Sequence, residues 1–162
     1  MKNNPIIIGI DPGYDRVGLA IGQKDGQSWQ IMAHACIQTD KKNHLFARYA
    51  QIAEELEKLI VKYKVTEAGI ESLFWFKNKS TALDVSEARG IIIATLLRQG
   101  IKISEYTPLQ IKQSLTGYGR ADKKAVEKMV RMELALEDKI IDDTIDALAT
   151  MICHECSRKL KL

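Results

Sequence analysis

Acidic residues that end apolar segments are the side chains of this sequence best suited to chemistry. Residues 6–10 are mostly β-branched and run directly into Asp11, which precedes a Pro-Gly turn. Residues 68–70 run in the same way into Glu71. Strand interiors avoid Asp, and an unpaired buried carboxylate is costly. Both positions therefore indicate a compensating cation or a set of hydrogen-bond donors.

The last helical segment contributes two further acids. At roughly 100° per residue, its buried face is predicted to consist of Ile145, Leu148, Ala149 and Ile152. Asp143 and Asp146 lie beside each other off that face, in a sector they share with the small residues Ala147 and Thr150. Asp146 lies past the first helical turn and between apolar residues, which the helix dipole alone does not explain.

The four acids Asp11, Glu71, Asp143 and Asp146 would repel one another if they met without cations. Carboxylate oxygens are the ligands that Mg²⁺ prefers. Two Mg²⁺ ions held about 4 Å apart, with Mn²⁺ as a substitute, would neutralise the set. One ion would activate a water and the other would stabilise the leaving 3′ oxygen, which is the chemistry of in-line phosphodiester hydrolysis.

Each acid also has an ordinary structural interpretation. Asp11 could serve only to cap the Pro-Gly turn, and Glu71 could be the first polar residue of a loop. Acids at a helix start are favoured by the helix dipole, which covers Asp142 and also suffices for Asp143. The metal-site hypothesis therefore depends on the four acids meeting in one place.

Basic and aromatic residues favour a polyanionic partner. Residues 107–131 contain six basic side chains and two acidic ones. They surround the glycine loop 116–120. The backbone N–H groups of this loop and of the start of the following helix could bind phosphate. Loop 72–80 places Phe74 between other large apolar residues and before Lys77 and Lys79, which suits stacking on unpaired bases. The alternatives are a solvated helix face for the basic run and a lid over the core for the aromatic loop.

Alternating and helical patterns predict an α/β fold. Strands are predicted at 6–11, 17–22, 29–39, 68–71 and 101–105, and helices at 45–63, 81–99, 108–115, 122–134 and from 142 onward. The first three strands form an antiparallel meander with a turn at 24–27. Helix 81–99, with Thr81 and Asp84 as its N-terminal cap, is apolar on more than one side, which indicates the sheet on one side and a second subunit on the other.

Composition bounds these hypotheses. A chain of 162 residues, 46% apolar and 28% charged, suits one domain over 1–162 with a full-sized core. It has no run of about eighteen apolar residues and no signal-peptide pattern at its start, so we expect a cytoplasmic protein without membrane contact. Cys153 and Cys156 lack a second ligand pair for zinc and are expected on or beside the packed face of the last helix, as reduced thiols.

Seven short motifs, in order along nearly the whole chain, resemble those of the RuvC family of bacterial Holliday junction resolvases. They are IGIDPG at 8–13, IESLF at 70–74, KN at 77–78, EARG at 87–90, QIKQ at 110–113, GYG at 117–119 and DTIDALA at 143–149. The resemblance implies an RNase H-like fold with a five-stranded mixed sheet and helices on both faces. It also implies a homodimer whose two sites nick a four-way DNA junction symmetrically, in concert with a branch-migration helicase complex.

The resemblance assigns roles to individual residues. The family's metal-binding acids fall on Asp11, Glu71, Asp143 and Asp146, its junction-probing aromatic on Phe74, and its catalytic basic residues on Lys112 and Lys123. We add to the expected DNA contacts the neighbouring side chains Lys77, Lys79, Tyr118, Arg120 and Lys124.

Two other functions stay open at the level of sequence. Residues 14–22 are partly similar to the related YqgF family, which implies a nuclease that processes structured RNA. A non-catalytic junction-binding protein on the same fold is the second, with the acids serving only as caps.

Overall fold

The computed structural model describes residues 4–72, 81–137 and 140–160. Its strands are β1 (Ile7–Asp11), β2 (Arg16–Asp25), β3 (Ser28–Gln38), β4 (Glu67–Glu71) and β5 (Lys102–Tyr106). Its helices are α1 (Leu45–Tyr63), α2 (Ala82–Arg98), α3 (Pro108–Thr116), α4 (Lys123–Leu134) and α5 (Asp142–Leu160). The strands form one sheet in the order β3-β2-β1-β4-β5. The predicted elements are therefore present, with shifts of a few residues at their ends.

The sheet is mixed, as predicted. The strands β1, β2 and β3 form an antiparallel meander, whereas β1, β4 and β5 run parallel. The β2–β3 turn is tighter than expected, because Asp25 pairs with Ser28 and only Gly26 and Gln27 remain between them. Gly26 has φ +58°, a left-handed conformation that glycine adopts without strain.

Helices cover both faces of the sheet. One buried cluster joins the sheet to α1 and α2, and the other joins it to α3, α4 and α5. The five-stranded mixed sheet covered in this way is the RNase H-like architecture. Among the described residues, every helix is too short or too polar to span a lipid bilayer.

Helix α5 is more deeply buried than its sequence predicts. Ala147 and Thr150, expected beside the acids and off the buried face, are both fully buried. The sheet packs against one side of α5 while α3 and α4 pack against the other. Cys153 is buried and Cys156 half-buried on this helix, as expected, and both are free thiols.

Two strand glycines allow α5 to lie directly on the sheet. A Cβ atom on Gly9 would stand 2.2 Å from the carbonyl oxygen of Ala147, and one on Gly18 would stand 1.9 Å from that of Asp143. Both distances are far below van der Waals contact, so only glycine permits this approach of two backbones. The first turns of α5 are thereby held against β1 and β2.

A buried polar cluster fixes the other half of α5. His154 is almost fully buried, and its Nε2 and Nδ1 atoms lie 2.9 Å from Glu67 Oε2 and 2.9 Å from the Tyr106 hydroxyl. Burial lowers the pKa of His154 below its ordinary value, although Glu67 opposes the shift. The cluster ties α5 to the beginning of β4 and the end of β5, which fixes the helix relative to the strand that carries Glu71.

Helix α2 has the predicted apolar surface but lacks the predicted capping hydrogen bond. Its N-cap residue is Thr81, but the Thr81 side chain makes no capping hydrogen bond, so the predicted cap was wrong in that respect. One face is buried, while Leu83 and Leu97 on the remaining surface are 69% and 62% exposed. The helix is thus apolar beyond its buried face, as the sequence indicated.

Candidate active site

A cavity of about 850 Å³ opens where β1 and β4 end. Three of the four expected acids line it, and each comes from a different element: Asp11 from β1, Glu71 from β4 and Asp146 from α5. Three basic side chains line the same cavity, Lys112, Arg120 and Lys123. The structure therefore brings residues far apart in the sequence into one site of mixed charge.

The register of the sheet explains why two of the acids meet. β1 and β4 are adjacent parallel strands, and Ile10 is paired with Ile70. The residues that follow this pair, Asp11 and Glu71, consequently end the two strands at the same edge of the sheet. Asp146 reaches the same edge because α5 crosses β1 and β2 in contact with Gly9 and Gly18.

The environment of Asp11 disfavours its ionised form. Burial, followed by repulsion from Glu71, Asp146 and Asp143, raises the pKa of Asp11 to about 8, and Lys123 opposes the shift. Burial also raises the pKa of Asp146, again against the effect of Lys123. Without a further positive charge the site holds Asp11 protonated near neutral pH, so a bound cation would displace a proton.

This environment predicts that the metal-free protein loses stability as pH rises. A carboxyl group whose pKa is raised by folding contributes stability that is fully present below about pH 4 and is lost as the pH approaches about 8. We expect the melting temperature in EDTA, relative to that of Asp11→Asn, to fall between about pH 5 and about pH 8, and Mg²⁺ to reverse the fall. Thermal denaturation at several pH values measures both. If the melting temperatures of wild type and Asp11→Asn differ by the same amount at every pH, the raised pKa of Asp11 is contradicted.

One basic side chain of the cavity, Lys123, pairs with two acids at the start of α5. Lys123 Nζ lies 3.3 Å from Asp142 Oδ2 and 3.5 Å from Asp146 Oδ2. Although burial opposes the charge on Lys123, Asp146 and Asp142 outweigh it, and the pKa of Lys123 is raised. Asp142, which the sequence left with only a helix-dipole role, is thus a partner of Lys123.

Asp143 lies outside the lining of the cavity and is paired with a residue that the sequence did not single out. Arg16 Nη1 lies 3.3 Å from Asp143 Oδ2. Asp143 nevertheless remains close enough to Asp11 to contribute to its raised pKa. The predicted four-acid set is therefore three acids in the cavity and a fourth beside it.

The donor set fits hard divalent metal ions in its chemistry. Its ligands are carboxylates, and their burial and mutual repulsion require positive charge. Across residues 4–72, 81–137 and 140–160, no three acidic, histidine or cysteine side chains form a ready metal site as they stand. Lys123 and Arg16 lie 3.5 Å and 3.3 Å from one carboxylate oxygen of Asp146 and Asp143, so a bound metal ion would compete with these two side chains for the carboxylates.

The glycine loop offers fewer free backbone donors than its sequence indicated. The N–H of Gly117 donates to Gln113, and the N–H of Tyr118 donates to the Thr116 hydroxyl. The start of α4 is capped by Asp122, whose carboxylate accepts from Ala125 N–H at 2.8 Å. These three N–H groups are therefore already bonded within the chain and are not free to meet a phosphate.

The other expected DNA-binding residues differ in their relation to the cavity. Tyr118 is 61% exposed, and Lys124 lines a separate groove with Lys128 and Arg131. The expected contacts at Phe74, Lys77 and Lys79 lie outside the described residues.

Sequence reasoning missed Arg16 and the two glycines. The β1–β2 register pairs Asp11 with Gly18, which places Arg16 near the acid edge, and hairpin pairing is a signal that could have identified it. Gly9 and Gly18, isolated within apolar strands, are the usual sign of close backbone approach.

Comparison with known proteins shows the family of the chain. The family profile described as crossover junction endodeoxyribonuclease RuvC matches residues 7–154. Proteins of that name from Petrotoga mobilis and Thermosipho melanesiensis are 45% and 44% identical to this chain, over 92% and 91% of it and 92% and 94% of their own lengths. The structure of Thermus thermophilus RuvC superposes with a TM-score of 0.90 at 25% identity, covering 96% of both chains. The same protein in complex with a Holliday junction substrate gives a TM-score of 0.91 at 24% identity over 97% of this chain and 96% of its own.

Proposed function

The chain belongs to the RuvC family of crossover junction endodeoxyribonucleases, metal-dependent enzymes that hydrolyse DNA, and from this premise we propose that the acid-lined cavity is its active site. The observation that carries the proposal is the convergence of Asp11, Glu71 and Asp146, from three elements, on one cavity that basic side chains also line. The substrate is a four-way DNA junction, resolved by paired symmetric nicks during recombination and repair. Residues 1–162 form one catalytic domain.

The acids would hold two Mg²⁺ ions, with Mn²⁺ as a substitute. Asp11, Glu71 and Asp146 would supply ligands from within the cavity, and Asp143 would join them after it leaves Arg16. When bound, the metal would supply an activated water and charge stabilisation at the leaving oxygen. The ionised form of Asp11, which is disfavoured without a cation, would be the ligand.

The basic residues around the cavity would bind and orient the DNA backbone. Lys112 and Lys123 reach the cavity itself and would hold the phosphate under attack or its neighbours, together with Arg120. Lys124 and the exposed Tyr118 would contact the flanking nucleotides. Phe74, with Lys77 and Lys79, would stack on an unpaired base at the crossover and hold the adjacent phosphates.

A homodimer would place two such sites on one junction. The apolar surface of α2 that carries Leu83 and Leu97 is exposed in the single chain and would be covered by a second copy. A twofold-related pair of sites suits two nicks in strands of like polarity. The enzyme would work in the cytoplasm, where a branch-migration helicase complex would deliver junctions to it.

The family assignment argues against the YqgF-like RNA nuclease, and the acid-lined cavity argues against a non-catalytic junction-binding protein. Incubation with Mg²⁺ of an end-labelled mobile four-way junction and, in parallel, of a folded RNA precursor tests all three functions. The cleavage positions are mapped on sequencing gels. We expect paired nicks at symmetric positions, none in EDTA, and none in a linear duplex of the same sequence. Faster cleavage of a folded RNA precursor, or junction binding with no cleavage in Mg²⁺, would overturn the proposal.

A further inference from the structure

Arg16 was given no role by the sequence, yet it forms an ion pair with Asp143, one of the four expected acids. Arg16 is the first residue of β2, and its side chain is 59% exposed, while that of Asp143 is 27% exposed. Exposed ion pairs of this kind contribute little to stability, typically about 0.2–1 kcal/mol. Fold stability alone therefore gives a weak reason for a guanidinium at this position.

The segment that carries Arg16 is firmly held. Arg48, which is almost fully buried, donates from Nη2 to the Tyr14 carbonyl at 3.1 Å and forms an ion pair with Asp15. Its guanidinium also lies 4.9 Å from the centre of the Tyr14 ring. Thr39 holds the same turn, with its hydroxyl 2.7 Å from the Tyr14 carbonyl oxygen. Arg16 thus projects an exposed head group from a firmly held backbone beside the acid cavity.

The chemistry of guanidinium fits an exchange of partners. Arginine binds carboxylate and phosphate with the same planar set of donors, so the group that holds Asp143 could equally hold a phosphodiester. A metal ion that coordinates Asp143 would separate this carboxylate from Arg16. A phosphate of the bound DNA would then become the new partner of Arg16. Lys123 lies near both Asp142 and Asp146, so it keeps a carboxylate partner if a metal ion binds Asp146. Arg16 differs, because Asp143 is its one carboxylate partner among the described residues.

We propose that Arg16 is a phosphate-binding residue of the active site, held on Asp143 until a metal ion takes that carboxylate and then transferred to the DNA backbone. The proposal rests on the function proposed above and adds a residue to its substrate-binding surface. It predicts effects of opposite sign on two equilibria, because Arg16 competes with metal but assists DNA binding.

The test compares Arg16→Gln, Arg16→Lys and the control Lys41→Gln with wild type. Lys41 is 78% exposed and pairs with Asp15 in the same turn, so its substitution removes the same charge without touching an acid of the cavity. Mn²⁺ binding to the metal-free protein is measured by calorimetry without DNA. Binding of a four-way junction is measured in Ca²⁺, to suppress cleavage, over a range of salt concentrations.

We expect Arg16→Gln to tighten Mn²⁺ binding about two- to fivefold, the equivalent of a partly exposed ion pair, and to reduce the salt-dependence slope of junction binding by about 1. Arg16→Lys should restore the slope, and Lys41→Gln should change neither quantity. The proposal is overturned if Arg16→Gln leaves both quantities at wild-type values or if Lys41→Gln changes them equally. Junction cleavage by the wild type, measured in parallel in Mg²⁺, tests the proposed function separately, because the Mn²⁺ measurement involves no DNA.

Discussion

Asp11→Asn is expected to reduce the rate of junction cleavage by about 10³-fold or more while leaving junction binding intact. The asparagine keeps the shape of the side chain but cannot supply the anionic oxygen that a hard cation requires. Loss of metal-assisted charge stabilisation is worth several kcal/mol, and each 1.4 kcal/mol corresponds to about tenfold in rate. Single-turnover cleavage of a labelled junction at saturating enzyme measures the effect without interference from product release.

The same substitution should raise the stability of the metal-free protein near pH 8. Wild-type Asp11 is about half ionised there, at the cost of burial and of repulsion from neighbouring acids, which raise its pKa to about 8. Asparagine carries no charge and avoids both penalties. Lower activity together with a higher melting temperature in EDTA distinguishes loss of a functional group from loss of the fold.

Asp25→Asn is a matched control, because Asp25 is an exposed acid at the far end of β2, in the β2–β3 hairpin. It should leave both the cleavage rate and the melting temperature close to wild type. A near wild-type rate in Asp11→Asn would remove this residue from the active site and, with it, the proposed location of the chemistry.

The acid site could be predicted because its signals are local. A buried strand that ends in a carboxylate is visible in five or six residues, and adjacent parallel strands bring such ends to one edge of the sheet. Asp11 and Glu71 satisfied both conditions, as the paired Ile10 and Ile70 show. Asp146 was identified because it interrupts an apolar helix beyond the reach of the helix dipole.

What could not be predicted depends on contacts between distant elements. Helical periodicity located one buried face on α5, but the burial of Ala147 and Thr150 follows from α3 and α4 packing over the helix. The Arg16–Asp143 pair joins residues 127 positions apart, and its formation depends on how closely α5 approaches β2. That approach is set by the absence of a side chain at Gly18, which periodicity analysis does not register.

Gly18→Ala should therefore disable the site through α5 rather than through any catalytic group. The added Cβ would stand 1.9 Å from the Asp143 carbonyl oxygen, a backbone atom that moves only if the first turn of the helix moves. Overpacking of this kind costs about 1–3 kcal/mol. A displacement of about 1 Å in groups that position a reaction reduces rate by about 10²-fold. We expect losses of these sizes in urea unfolding and in single-turnover cleavage.

Gly22→Ala provides the control on the same strand. Its added Cβ would lie 3.1 Å from the Gln30 carbonyl oxygen and 3.2 Å from the side chains of Ile31 and Met151, distances that a small shift relieves. The cleavage rate should stay near wild type and stability should fall by less than about 1 kcal/mol. If Gly18→Ala loses stability but cleaves at the wild-type rate, the first turn of α5 tolerates displacement, and Asp143 does not need its place beside Asp11 for the reaction. If both properties fall together, the contact between β2 and α5 is what sets the geometry of the acids.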